Sequence, residues 1–149
     1  MSNIDTVRMW MSSPAITAPH TLTLPEAHEL MQQRHIRRLP VVDSHEHIVG
    51  IVTESDMYRI SGSPGSDMRE YNLYYRVRDL PLHEIMSRPV FTIGADTSIM
   101  AVVQLMLEHK ISGVPVVEGA KVIGMITESD LFRLIMKRQL DQAWGSVQA

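Results

Sequence analysis

The chain has 149 residues, 44% hydrophobic and 21% charged, a balance that excludes a disordered polypeptide and a length that can bury about 70% of the unfolded surface in a real core. A formal charge of −3 and a pI near 6.1 give no strong field to gather nucleic acid or an anionic membrane. Cysteine is absent, which excludes disulfides, thiolate catalysis and Cys-based zinc sites together.

The N-terminus, Met1-Ser2-Asn3-Ile4-Asp5-Thr6, has neither the basic region nor the apolar core of a signal peptide, and no apolar run reaches membrane-spanning length. A cytoplasmic protein with no membrane partner is expected. Residues 1–10 read as a lead-in whose Val7, Met9 and Trp10, with Met11, form an apolar patch that docks onto the core. In Met11-Ser12-Ser13-Pro14 the proline pushes Ser13 into an extended conformation. From Thr23 the pattern turns helical: Thr23 and Glu26 have capping-box spacing, Pro25 sits in the first turn, and Ala27, Leu30 and Met31 recur at helical intervals. This helix is predicted to end near His35. Leu39-Pro40-Val41-Val42 reads as a buried strand, residues 43–47 as a polar turn, and Ile48 to Thr53 as a second strand paired to the first.

Ser61 to Asp67 is a loop by composition and separates two halves. Residues 68–82 are too apolar and aromatic for a free tether and are expected to pack across the halves. Then the pattern begins again. Met86-Ser87-Arg88-Pro89 repeats Met11-Ser12-Ser13-Pro14 at an offset of 75, and after one residue is lost in the turn, Gly124 to Leu134 matches Gly50 to Ile60 at an offset of 74. The two halves agree at 16 of 45 compared positions, which makes this an internal duplication. The boundaries read as a first motif at 7–60, a linker at 61–79, a second motif at 80–138 and a tail at 139–149, with the last helix running from Ser129 to about Leu140 and Leu131, Leu134 and Ile135 on its apolar face.

The most informative repeat is a tetrapeptide, Thr53-Glu54-Ser55-Asp56 and Thr127-Glu128-Ser129-Asp130, each between a short apolar strand and a helix start. A strand-to-helix turn exposes backbone N–H groups, so a Thr hydroxyl and an Asp carboxylate placed there can seat a phosphate and a sugar diol. The same residues also fit a helix capping box, with Ser55 or Ser129 as an alternative N-cap, and the two roles can coexist.

The duplicated order of Met-Ser-x-Pro, helix, Leu/Val-Pro-Val-Val and Gly-x-x-Thr-Glu-Ser-Asp resembles the cystathionine β-synthase (CBS) domain, here as a tandem pair or Bateman module covering nearly the whole chain. The resemblance implies an α+β fold of two β-α-β-β-α units packed face to face about a pseudo-two-fold axis, with no length left for a fused catalytic domain. It further implies a cleft for an adenosine-containing ligand such as AMP, ADP, ATP or S-adenosylmethionine. By motif position, Asp56 and Asp130 accept from the ribose hydroxyls, Thr53 and Thr127 support ribose or phosphate, Ile16-Thr17 and Phe91-Thr92 hold the adenine, and Arg37-Arg38 and Ser112-Gly113 approach the phosphates. In such pairs phosphate contacts often come from the opposite half, so the Asp130 pocket is expected to use Arg37 and Arg38 and to take the more phosphorylated nucleotide. A homodimer associated through its helices and an unidentified regulated protein are implied as partners.

Other readings stand beside these. Arg37 and Arg38 fit a solvated helix end. His45-Glu46-His47 has the look of a metal pair but lacks further ligands nearby, so no metal is assigned. Arg69 to Arg78, with Tyr71, Tyr74 and Tyr75, has a basic-aromatic mixture suited to RNA, against which Glu70, Asp79 and the acidic balance argue. No constellation supports catalysis. The competing functions are a protein-interaction or dimerisation module with vestigial nucleotide pockets, and a nucleotide hydrolase.

Overall fold

The computed structural model describes residues 5–61 and 78–148, with side chains at 5–60 and 78–142. Most of the 61–79 linker, including Tyr71, Tyr74 and Tyr75, therefore lies outside the described residues. The chain forms two compact units, one of Ile16–Val90 with Gly119–Val122, the other of Met1–Ala15, Phe91–Glu118 and Ile123–Ala149. They are called here the first and second units.

In the first unit, β1 (Ala18–Pro19) runs parallel to β2 (Arg38–Val42), and β2 runs antiparallel to β3 (Ile48–Thr53), giving the order β1-β2-β3. Between β1 and β2 lies α2 (Leu24–Arg34), preceded in the chain by α1 (Val7–Trp10) of the second unit; α3 (Glu54–Ser61) follows β3. The expected capping box closes α2: the Thr23 hydroxyl accepts from the Glu26 N–H, and the Glu26 carboxylate accepts from the Thr23 N–H at 3.1 Å. The helix stops at His35, which takes a left-handed φ of 55° and donates its N–H to Gln32 and Met31 carbonyls. Leu24, Ala27, His28 and Met31 make the buried stripe of α2, packed with Leu39, Val41, Val52, Met57 and Leu82. Each large apolar side chain in such a cluster contributes about 1.5–3 kcal/mol by leaving water.

The second unit repeats this plan with β4 (Ile93–Gly94), α4 (Ile99–His109), β5 (Gly113–Glu118), β6 (Lys121–Thr127) and α5 (Glu128–Gln148), in sheet order β4-β5-β6. Ser98, at the position matching Thr23, caps α4 by accepting from the Ala101 N–H at 3.2 Å. Ile99, Val102 and Met106 form the buried stripe, with Val114, Val116 and Ile126 from the sheet. The last helix is longer than its sequence pattern indicates: α5 continues through the expected 139–149 tail to Gln148, because no proline interrupts it.

The compact units are not the contiguous repeats. Residues 5–15 pack with the second repeat, and residues 80–90 with the first. Val7 is fully buried in the second unit's core, Arg138 of α5 pairs with Asp5, and the Lys137 ammonium lies 5.8 Å from the centre of the Trp10 ring. Met9, expected in the docking patch, is instead 64% exposed. Each Met-Ser-x-Pro leader adds an antiparallel bridge to a sheet edge: Ser12 exchanges N–H···O bonds of 2.8 and 3.0 Å with Met125, and Ser87 exchanges bonds of 2.9 and 3.1 Å with Ile51. The glycines within β3 and β6, Gly50 and Gly124, are the seats for these leaders. A Cβ on Gly124 would stand 2.8 Å from both the Met11 sulfur and the Ser12 carbonyl oxygen, and one on Gly50 would collide with the Met86 side chain.

Candidate functional site

Each Thr-Glu-Ser-Asp turn is made where an edge strand ends and a helix begins without an intervening loop. In the first unit, Thr53 closes β3 and donates its N–H to Asp56 Oδ2 at 2.9 Å, while its hydroxyl accepts from the Asp56 N–H at 3.1 Å. In the second, Thr127 donates both its N–H, at 2.8 Å, and its hydroxyl, at 3.2 Å, to Asp130 Oδ2. Thr53 and Asp56 thus make both halves of a capping box, while in the second copy the Asp130 carboxylate caps the Thr127 N–H and the Thr127 hydroxyl donates to that carboxylate. Ser55 and Ser129 are not N-caps: the helices already start at Glu54 and Glu128, and both serines are exposed within the first turn.

The carboxylates differ in burial. Asp130 is 1% exposed as a residue, whereas the Asp56 side chain retains 16%. A carboxylate withdrawn from water needs donors or a counter-charge, and both turns supply an arginine three residues on. Arg59 donates from Nη2 to Asp56 Oδ1 at 2.9 Å, and Arg133 donates in the same way to Asp130 Oδ1. Both guanidinium-bearing side chains stay outward, 68% and 63% exposed. The motif reading missed these arginines, although Arg59/Arg133 is one of the identical pairs in the self-comparison and lies at the i,i+3 spacing that joins side chains on a helix.

The other candidate segments gather at the same end of each sheet. Arg38 faces Thr53 in the β2/β3 register, and the Arg37 carbonyl accepts from the Glu54 N–H at 2.9 Å. Likewise the Ser112 carbonyl accepts from the Glu128 N–H at 3.0 Å, and Gly113 opens β5. Ile16-Thr17 and Phe91-Thr92 lie just before β1 and β4 rather than within them, since pairing begins only at Ala18↔Val41 and Ile93↔Val116. Because β1/β2 and β4/β5 are parallel, these registers carry Ile16-Thr17 toward the Arg38 end of β2 and Phe91-Thr92 toward the Gly113 end of β5. Phe91 is 44% exposed and its ring stacks on His109 at 4.0 Å.

The His45-Glu46-His47 segment has a structural job. Asp43 accepts from the backbone N–H groups of His47 and His45, which hold its carboxyl below the usual carboxylate range. Glu46 sits at a left-handed φ of 63° and pairs with Lys121 at 3.8 Å, while Ile48 donates its N–H to Ala120 at 2.9 Å. Among the described residues, no group of three or more His, Asp or Glu is placed to hold a metal ion, and no helix is long and apolar enough to cross a membrane. A cavity of about 430 Å³ in the second unit, lined by Arg8, Asp96, Thr97, Glu118 and neighbours, includes none of the candidate residues.

Two strand-to-helix turns of identical sequence, each with its flanking segments at one sheet end, make a duplicated site. The CBS domain family model matches residues 5–62 and again 77–137. The chain belongs to the CBS domain family. Its structure is similar to the CBS domain pair of protein MJ0100, solved in complex with 5′-methylthioadenosine and S-adenosyl-L-methionine, at 31% identity and a TM-score of 0.75, covering 91% of this chain and 98% of that one. An acetoin utilization protein (AcuB) from Vibrio cholerae, described as putative, is similar at 26% identity and a TM-score of 0.77, covering 94% and 96%. A CBS domain-containing protein of Dictyostelium discoideum is 30% identical over 132 residues, 88% of this chain and 91% of that protein. The L-aspartate semialdehyde sulfurtransferase of Methanocaldococcus jannaschii is 32% identical over 134 residues, 89% of this chain but only 24% of the sulfurtransferase. The match thus spans about a quarter of that enzyme's length.

Proposed function

We propose that this CBS domain pair is a cytoplasmic regulatory module that binds an adenosine-containing ligand, AMP, ADP, ATP or S-adenosylmethionine, at the Thr53–Asp56 and Thr127–Asp130 turns and changes conformation to control a partner protein. The observation that carries the reading is Asp130, a 1% exposed carboxylate fixed at the end of a strand beside the two other candidate segments of its unit. A carboxylate in that position can accept from a ribose hydroxyl in a charge-assisted hydrogen bond. The 31% identical pair solved with two adenosine-containing ligands supports this ligand class. Thr53 and Thr127 support the ribose or phosphate, Ile16-Thr17 and Phe91-Thr92 border the adenine, and Ser112-Gly113 and Arg37-Arg38 border the phosphates. The contrast between two arginines and Ser-Gly at that position makes preferred phosphate number a property of the Arg37-Arg38 segment. Such a module regulates only if the ligand favours one conformation over another, and no catalytic role is assigned.

A homodimer is part of the proposal. The exposed large apolar side chains among the described residues, Met9, Phe91, Met100, Leu107, Phe132, Ile135, Met136 and Leu140, all belong to the second unit. Phe132, Ile135, Met136 and Leu140 recur at the spacing of a single helical stripe on α5, and Met100 and Leu107 share a face of α4. A second copy covering these faces accounts for that concentration.

The deciding experiment is calorimetric titration with AMP, ADP, ATP and S-adenosylmethionine, repeated on Asp56→Ala and Asp130→Ala. Binding at cellular ligand concentrations that weakens in these variants upholds the reading. A folded protein that binds none of the four leaves the turns as helix caps and favours an interaction module with vestigial pockets.

A further inference from the structure

The two aspartates are not equivalent as hydrogen-bond acceptors, and the difference can be counted. An ionised Asp offers about four lone-pair positions, two on each oxygen. At Asp56, the Thr53 N–H takes one position on Oδ2 and Arg59 takes one on Oδ1, so each oxygen keeps one. At Asp130, the Thr127 N–H and hydroxyl take both positions on Oδ2, and Arg133 takes one on Oδ1, so a single position remains. The Thr53 hydroxyl bonds the Asp56 N–H and not the Asp56 carboxylate, so Oδ2 carries one hydrogen bond at Asp56 and two at Asp130. Burial points in the same direction: the Asp56 side chain is 16% exposed and that of Asp130 only 2%.

Building on the adenosine-ligand reading above, we propose that the Asp56 turn reads both hydroxyls of a ribose cis-diol while the Asp130 turn reads only one. Arg59 and Arg133 act as positioning residues, since by occupying one side of Oδ1 they fix which lone pair faces a ligand. Two sites of identical sequence motif then differ in sugar selectivity through a threonine hydroxyl, not through residue identity.

The test is titration of AMP, 2′-deoxy-AMP and 3′-deoxy-AMP into Asp130→Ala, which leaves the Asp56 turn, and into Asp56→Ala, which leaves the Asp130 turn. Should either alanine variant fail to fold, the wild type titrated with the same three nucleotides reads the difference as two binding events with unequal penalties. With the Asp56 turn alone, each missing hydroxyl is expected to weaken binding about tenfold. With the Asp130 turn alone, one analogue loses about tenfold and the other less than about threefold. Adding Thr127→Val to Asp56→Ala frees Oδ2, and the second penalty is expected to appear, a change that a purely capping hydroxyl would not produce. If AMP binds but both analogues are penalised equally at the Asp130 turn, or only one is at the Asp56 turn, this inference falls and the nucleotide reading survives. If AMP binds neither the wild type nor the variants, both fall.

Discussion

Replacing Gly124 with alanine isolates the seating of the N-terminal leader. The added Cβ would sit 2.8 Å from the Ser12 carbonyl oxygen, a backbone atom bonded to the Met125 N–H, and 2.8 Å from the Met11 sulfur. The sulfur can swing away, but the carbonyl can move only by loosening the bridge between Ser12 and Met125. Overpacking of this kind costs about 1–3 kcal/mol, against which alanine recovers about 0.5–1 kcal/mol of chain entropy. The net loss is up to about 2.5 kcal/mol, a fall in Tm of up to about 10 °C for a chain of this size, and relative to a glycine-to-alanine change without the clash the deficit is the full overpacking cost of about 1–3 kcal/mol. Thermal unfolding followed by circular dichroism reads it directly. Gly94→Ala is the control, since a Cβ there meets only the Thr97 hydroxyl at an ordinary 3.6 Å. If Gly124→Ala is as stable as Gly94→Ala, the leader does not need the glycine and the seating argument fails.

Thr23→Ala removes the reciprocal cap of α2 and is expected to cost about 0.5–2 kcal/mol in urea unfolding; an unchanged midpoint contradicts the cap. The hydrogen bonds from the Thr23 side chain and backbone lower the pKa of Glu26 from its usual 4.5, so its small contribution is present above the unfolded-state pKa and disappears as pH falls through the lower folded-state value. Glu26→Gln should therefore lower stability at pH 7 while flattening its change between about pH 5 and 3, measured by unfolding at several pH values. If the proposed homodimer forms, Phe132→Glu with Ile135→Glu is expected to convert it to a folded monomer by light scattering, and a doubly substituted chain that stays dimeric rules out this face of α5. Arg133→Ala strips a counter-charge from a 1% exposed carboxylate and should destabilise the fold more than Arg59→Ala, whose partner is less buried; equal losses in denaturant unfolding argue against the burial difference.

Much of the local structure was legible because short-range rules decide it. The α2 cap follows from Thr23 and Glu26 three residues apart, and β2 from the apolar run at 39–42. The two turns at Thr53–Asp56 and Thr127–Asp130 stood out in the sequence because the same tetrapeptide recurs between matching strand and helix patterns. Arg59 and Arg133 belong to the same repeat but carry no role in the sequence reading, since nothing in a linear pattern says that an exposed arginine reaches back to a buried carboxylate. The short strands β1 and β4 had no sequence pattern of their own, because pairing partners, not residue types, set where such short strands begin. Least legible was the assignment of leaders to units. Self-comparison reveals which segments are alike and is silent about which copy each one touches.

That crossed assignment means that the repeat as inherited and the body as folded are out of phase by one leader. A gene carrying one repeat alone would encode a leader whose glycine seat lies in another copy, so its product is expected to fold as a pair of chains trading leaders. It follows that cutting this chain between its repeats yields two pieces, each lacking a strand-edge segment held by the other, and that the pieces should regain order when mixed rather than when purified apart.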